Sequence, residues 1–138
     1  MIIKAGYDKM DFDRVTHMLK DAPWCIGISK NEVIQGAQNS ALLVGAFTPD
    51  NTQVGFLRVV SDKTRFAYIL DVIVDESYRK QGIGQAMVRF LLNHPDMEDV
   101  YQWLLLTKDA HGVYKKVGFN PIADPEGWME IRHTRPKR

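Results

Sequence analysis

The sequence predicts an α/β (α+β) domain with a mixed, mostly antiparallel central sheet flanked by helices on both faces, in the order β-α-α-β-β-β-α-β-α-β. Three observations predict it. Apolar runs over residues 40–47, 54–60 and 65–74 are separated by the turn-forming clusters Pro49-Asp50-Asn51 and Asp62-Lys63-Thr64, the pattern of an antiparallel meander. Directly after the third run, Ile83, Met87, Phe90 and Leu91 recur at i, i+4, i+7 and i+8, so the last strand of the meander leads into a helix with one packing face. Ahead of the meander stand two helix-capping signals, at Asp11 and at Ser29.

The elements follow in order. Ile2–Ala5 suits a first edge strand, and Phe12, Val15 and Leu19 give a helical stripe behind Asp11 as N-cap. Ala22-Pro23-Trp24-Cys25 ends that helix and opens a loop. Ser29-Lys30-Asn31-Glu32 has capping-box spacing, which starts a second helix with Val33, Ile34 and Ala37 inward. After the meander, a helix over 82–92 stops near His94-Pro95, because the residue before a proline is driven out of helical geometry. A strand over 100–106, a helix over 110–117 and a closing strand-like segment over 119–131, interrupted by Pro121 and Pro125, complete the chain.

With 138 residues, 45% hydrophobic and 25% charged, the chain is long enough for a single core that needs neither disulfides nor metal. Cys25 is the sole cysteine, which excludes an internal disulfide and a multi-cysteine zinc site. A formal net charge of +1 provides no global field to recruit nucleic acid or an anionic membrane. Neither a signal-peptide block nor a membrane-length apolar run is present, so a soluble cytoplasmic protein is expected. Arg132, Arg135, Lys137 and Arg138 form a basic end, and residues 133–138 are expected to be a solvated, flexible tail.

The stretch richest in chemistry is Arg79-Lys80-Gln81-Gly82-Ile83-Gly84. The first N–H groups of a helix have no partner within it, and glycines let those groups converge on an anion that the helix dipole also favours. Arg79 and Lys80 add cations at the same mouth, so this is a phosphate cradle. It is not a Walker loop, since Gln85 and Ala86 follow where Lys and Ser/Thr are needed, nor a dinucleotide fingerprint, since Met87 occupies the third glycine position.

The string Leu70-Asp71-Val72-Ile73-Val74-Asp75-Glu76-Ser77-Tyr78-Arg79-Lys80-Gln81-Gly82-Ile83-Gly84 resembles the acetyl-coenzyme-A motif of the GCN5-related N-acetyltransferase (GNAT) superfamily. Downstream, Tyr114 and Gly118-Phe119 are similar to the superfamily's Tyr-x-x-x-Gly-Phe helix end, in the expected order. The resemblance spans about residues 40–132. It implies a single N-acetyltransferase domain with acetyl-coenzyme A as co-substrate, no metal, and a small-molecule, peptide or protein amine as acceptor. Homodimers are common in such folds. Coenzyme A contacts are expected from Val72, Ile73, Val74, Arg79, Lys80, Gln81, Gly82, Ile83, Gly84 and Gln85. Thr107 stands where one branch has a cofactor-contacting asparagine, and Gln102 where that branch has its basic glutamate.

The resemblance makes Tyr114 the expected acid, against a plain core role with its hydroxyl at the rim, and a neutral phenol can protonate a departing thiolate. Asp71, a carboxylate inside an apolar strand, is either a base for the amine or a group bonded to a neighbouring loop; bound water is the alternative base. Trp24 and His111 are candidates to contact the acceptor, each against a plain packing or surface role. Cys25 reads as an apolar filler. A non-catalytic module that senses acyl-coenzyme A is the rival reading.

Overall fold

The computed structural model describes residues 1–135 and 138. Its elements are β1 (Ile2–Ala5), α1 (Phe12–Leu19), α2 (Lys30–Gln38), β2 (Leu42–Phe47), β3 (Gln53–Ser61), β4 (Phe66–Val74), α3 (Ile83–Leu92), β5 (Gln102–Leu104) and α4 (His111–Lys115). The five strands lie in sequence order, antiparallel except for the parallel β4–β5 pair.

Each side of the sheet carries its own apolar cluster. In β2, Leu43 and Phe47 pack with Val15 and Leu19 of α1 and Val33 and Ala37 of α2, while the alternate residues Val44 and Ala46 pack with Ile83, Met87, Val88 and Leu91 of α3. This period-two division is what a strand buried on both faces requires. Gly55 allows the closest approach of α3: a Cβ there would sit 3.0 Å from Met87 Cε and from Ala46 Cβ. The caps read from the sequence form. Asp11 accepts the N–H groups of Asp13 and Arg14, and Ser29 that of Glu32.

The C-terminal region departs from expectation. Among the described residues, no strand forms over 119–131; a single 3-10 turn, Pro125–Gly127, interrupts an extended chain. Pro121 and Pro125 lack the N–H a ladder needs, and β5 offers an edge of only three residues. The basic end is not left wholly to solvent: Arg135 Nη1 donates to Pro23 O at 3.2 Å, and the Arg138 guanidinium pairs with Glu32, with Nε 3.0 Å from Oε1. Lys137 lies outside the described residues.

Candidate active site

The site begins with a fault in β4. Arg58 of β3 faces Leu70 and Phe56 faces Ile73, so Leu57 stands opposite two residues, Asp71 and Val72. This is a β-bulge, and Asp71 takes it with φ 58°, a left-handed geometry that glycine usually supplies. A bulge bends and twists its strand. The parallel pairing of β4 with β5 covers only Phe66, Ala67 and Tyr68, and from Ile69 onward the outer edge of β4 has no strand beside it.

That open edge presents a definite set of groups. Asp75 N–H donates to Val54 O, so alternation turns the backbone of Ile73 toward β3 and that of Val72 and Val74 toward the gap. Ile73 therefore contributes a buried side chain under α1 rather than a free N–H. Arg79 Nε donates to Val74 O at 3.0 Å, which occupies that carbonyl and leaves the Val74 N–H open.

At the end of β4, Asp75 accepts the Ser77 N–H, and the chain turns through Lys80 (φ 64°) and Gly82 (φ 78°) into α3. Gly82 is the N-cap and supplies no side-chain bond, so the N–H groups of Ile83, Gly84 and Gln85 open the helix without partners. A Cβ on Gly82 would meet nothing within 4 Å, and one on Gly84 only Val74 Cγ2 at 3.9 Å. The helix start thus presents backbone amides to open space, and the Lys80 side chain is exposed. Ile83, 6% exposed, anchors the helix below. These features fit a diphosphate ester at the cradle and an amide-bearing arm along Val72 and Val74.

Tyr114 packs against the α3-side cluster, its ring edge-on to Phe119 at 6.1 Å, and burial raises its phenol above the ordinary value of 10. The hydroxyl has no protein partner among the described residues and is not sealed from solvent. Gly118 (φ 103°) closes the turn, with the Phe119 N–H on Tyr114 O at 3.2 Å. Thr107 Oγ1 accepts the Ala110 N–H at 3.1 Å, so it opens α4. His111 is exposed at the first residue of that helix. Gln102 pairs with Phe66, five residues and roughly 17 Å of strand before Asp71, remote from the gap.

Asp71 has both oxygens hydrogen-bonded. Its Oδ2 accepts from Arg58 Nε at 2.7 Å and its Oδ1 from Trp24 Nε1 at 3.0 Å. The bond to Trp24 is the contact with a neighbouring loop that one of the two readings expected. Cys25, beside Trp24, is buried; its Sγ donates to Leu19 O at 3.3 Å, and burial, then the charge of Asp71, pushes the thiol up to about 11. It is no nucleophile at neutral pH. Arg58 escaped the sequence reading, although an arginine inside the apolar run that pairs with the strand of Asp71 was a usable signal.

Comparison with known proteins agrees with this geometry. The model of the acetyltransferase (GNAT) domain matches residues 39–121, more than half of the chain. A GNAT-family crystal structure from Xanthomonas campestris superposes with a TM-score of 0.84 at 30% identity, over 96% of this chain and 94% of that one. Rv2747 of Mycobacterium tuberculosis, solved in complex with CoA and NLQ, shares the fold at 19% identity and TM-score 0.71, over 88% of this chain and 73% of that one. Histone acetyltransferase TAP1 of Glycine max is 37% identical over 76 residues, 54% of this chain and 32% of its own length. GCN5-related N-acetyltransferase 1 of Arabidopsis thaliana is 28% identical over 99 residues, 71% of this chain and 49% of its own. The chain thus spans about a third to a half of the length of these curated relatives. An open β4 edge leading into a bare-amide helix start, with the family match lying over both, makes this protein a member of the GNAT acetyltransferases.

Proposed function

We propose that the protein transfers an acetyl group from acetyl-coenzyme A to a primary amine by direct attack in a ternary complex. The observation that carries this reading is the continuity of the open Val72–Val74 edge with the unpartnered N–H groups of Ile83, Gly84 and Gln85. The cradle binds the pyrophosphate through those amides, and Lys80 screens its charge. Arg79, tethered by Nε, keeps its terminal nitrogens for the same anion. N–H groups of Val72 and Val74 hold the pantetheine amides as an added strand would, and one of them stabilises the oxyanion.

The amine nitrogen bonds to the thioester carbon, and the carbon–sulfur bond breaks as the Tyr114 hydroxyl gives its proton to the sulfur. Water takes the amine proton, and the phenol recovers its own from solvent. Asp71, with both oxygens held by Arg58 and Trp24, serves to fix the bulge rather than to shuttle protons. Support for coenzyme A as donor comes from the family match and from the CoA complex of Rv2747; the name of the Glycine max relative keeps protein amines among the acceptors.

The test is release of free coenzyme A thiol on addition of an amine library, with acetyl-coenzyme A binding followed by calorimetry. Amine-dependent release is expected. Binding without release would leave a sensing module, and no binding would remove the reading.

A further inference from the structure

Resting on the acetyl-transfer reading, we infer that Trp24 is a preordered stacking platform for the acceptor, and that the preferred acceptor is a primary amine bearing an aromatic ring. The direction of the cradle sets the geometry. With the diphosphate beyond Val74, the arm runs back along β4 and its acyl end lies at Val72, the neighbour of Asp71. The indole held by Asp71 therefore stands at the reacting end of the gap.

Trp24 is 41% exposed, while Ala22 and Cys25 on either side of it in the loop are buried at 4% and 6%. Its one polar atom is spent on Asp71, so the ring is held by its edge while the residue keeps exposed aromatic surface for contact. The loop beneath is tied by Cys25 N–H to Ala22 O, Ile28 N–H to Cys25 O, and Arg135 to Pro23 O. An aromatic side chain already fixed in place costs little entropy when a second ring stacks on it.

The charge around it points the same way. Asp71 is balanced by Arg58 at 2.7 Å, so the subsite presents no net negative charge to hold a polyamine. Ile26, 65% exposed in the same loop, adds apolar surface. A flat, apolar group fits this wall better than a chain of ammonium groups.

The test compares 2-phenylethylamine, n-hexylamine and spermidine as acceptors for the intact chain and for Trp24→Ala and Trp24→Phe. For the intact chain, kcat/KM for the aromatic amine should exceed that of the alkylamine by about tenfold, and spermidine should be poorest. In Trp24→Ala that ratio should fall toward one through the acceptor KM, with the KM for acetyl-coenzyme A changed far less; Trp24→Phe, which keeps a ring but loses the tether to Asp71, should restore part of it. A parallel arm needs no turnover: saturation-transfer NMR of 2-phenylethylamine bound in the presence of coenzyme A, lost in Trp24→Ala and kept in Trp24→Phe. Ring contact without turnover would support the platform while removing the transferase reading. Turnover with no aromatic preference, a ratio unchanged by Trp24→Ala, or no ring contact would overturn the platform and leave the transferase reading intact.

Discussion

Arg14 and Asp75 tie the first helix to the residue at which β4 gives way to the loop that opens α3. Arg14 Nη2 lies 2.7 Å from Asp75 Oδ2, and its Nε donates to Gln53 O at 3.1 Å, so one guanidinium spans the start of β3 and the end of β4. The other oxygen of Asp75 receives the Ser77 N–H, which sets the first turn of the loop. The Arg14 hydrogen bond, then the Ser77 N–H, holds the Asp75 carboxyl below its ordinary value of 3.8.

Asp75→Asn should therefore cost about 1 kcal/mol at pH 7, the scale of a partly exposed pair, and weaken acetyl-coenzyme A binding severalfold by loosening the loop. The native carboxylate contributes its full stability above the ordinary value and loses it as pH falls through the depressed folded one. Melting curves below pH 4 should converge for the two proteins. A constant gap down to pH 2 would show that the charge is not what stabilises.

Tyr114→Phe removes the proposed acid and little else, since the ring keeps its place against Phe119. Turnover should fall about a hundredfold with acetyl-coenzyme A affinity within a factor of about two by calorimetry. Because burial raises the phenol, the alkaline decline of the native rate belongs above pH 10. A variant with native turnover assigns the thiolate proton to another donor.

At Gly82, substitution separates backbone strain from cradle chemistry. Gly82→Ala adds a Cβ into open space, so its cost is only the left-handed φ of 78°, about 1 kcal/mol. Gly82→Glu adds bulk and a negative charge beside the unpartnered N–H groups and should abolish coenzyme A binding while the fold survives. Calorimetry on both, with circular dichroism as the fold control, makes the comparison; binding retained by Gly82→Glu would put the anion elsewhere.

Gln53 is buried at 0% exposure, with Oε1 accepting the Asp11 N–H at 2.8 Å and Nε2 donating to Gly55 O at 3.0 Å. Gln53→Leu keeps the volume and strands both backbone groups, an expected loss of about 2 kcal/mol or more. Urea denaturation measures it. An unchanged midpoint would mean that water or a backbone shift satisfies them.

Much of this protein is legible along the chain. The meander was readable because Pro49-Asp50-Asn51 and Asp62-Lys63-Thr64 punctuate apolar runs, and the cradle because Gly82 and Gly84 open a striped helix. Residues 119–131 were not: a segment broken by prolines keeps strand-like composition while losing N–H groups that a strand needs. Arg79 was expected as a cation at the mouth, whereas its anchorage on Val74 O depends on how the loop folds back.

By itself, the sequence determined the element types and their order as far as α4, and the glycine-opened start of α3, because capping, periodicity and glycine act within a few residues of one another. Only the tertiary structure decided what Asp71 bonds to. Its partners Trp24 and Arg58 come from a loop 47 residues away and from the neighbouring strand, and no local pattern encodes a carboxylate shared between them. The opening between β4 and β5 is likewise a property of register, where one extra residue opposite Leu57 coincides with the end of parallel pairing.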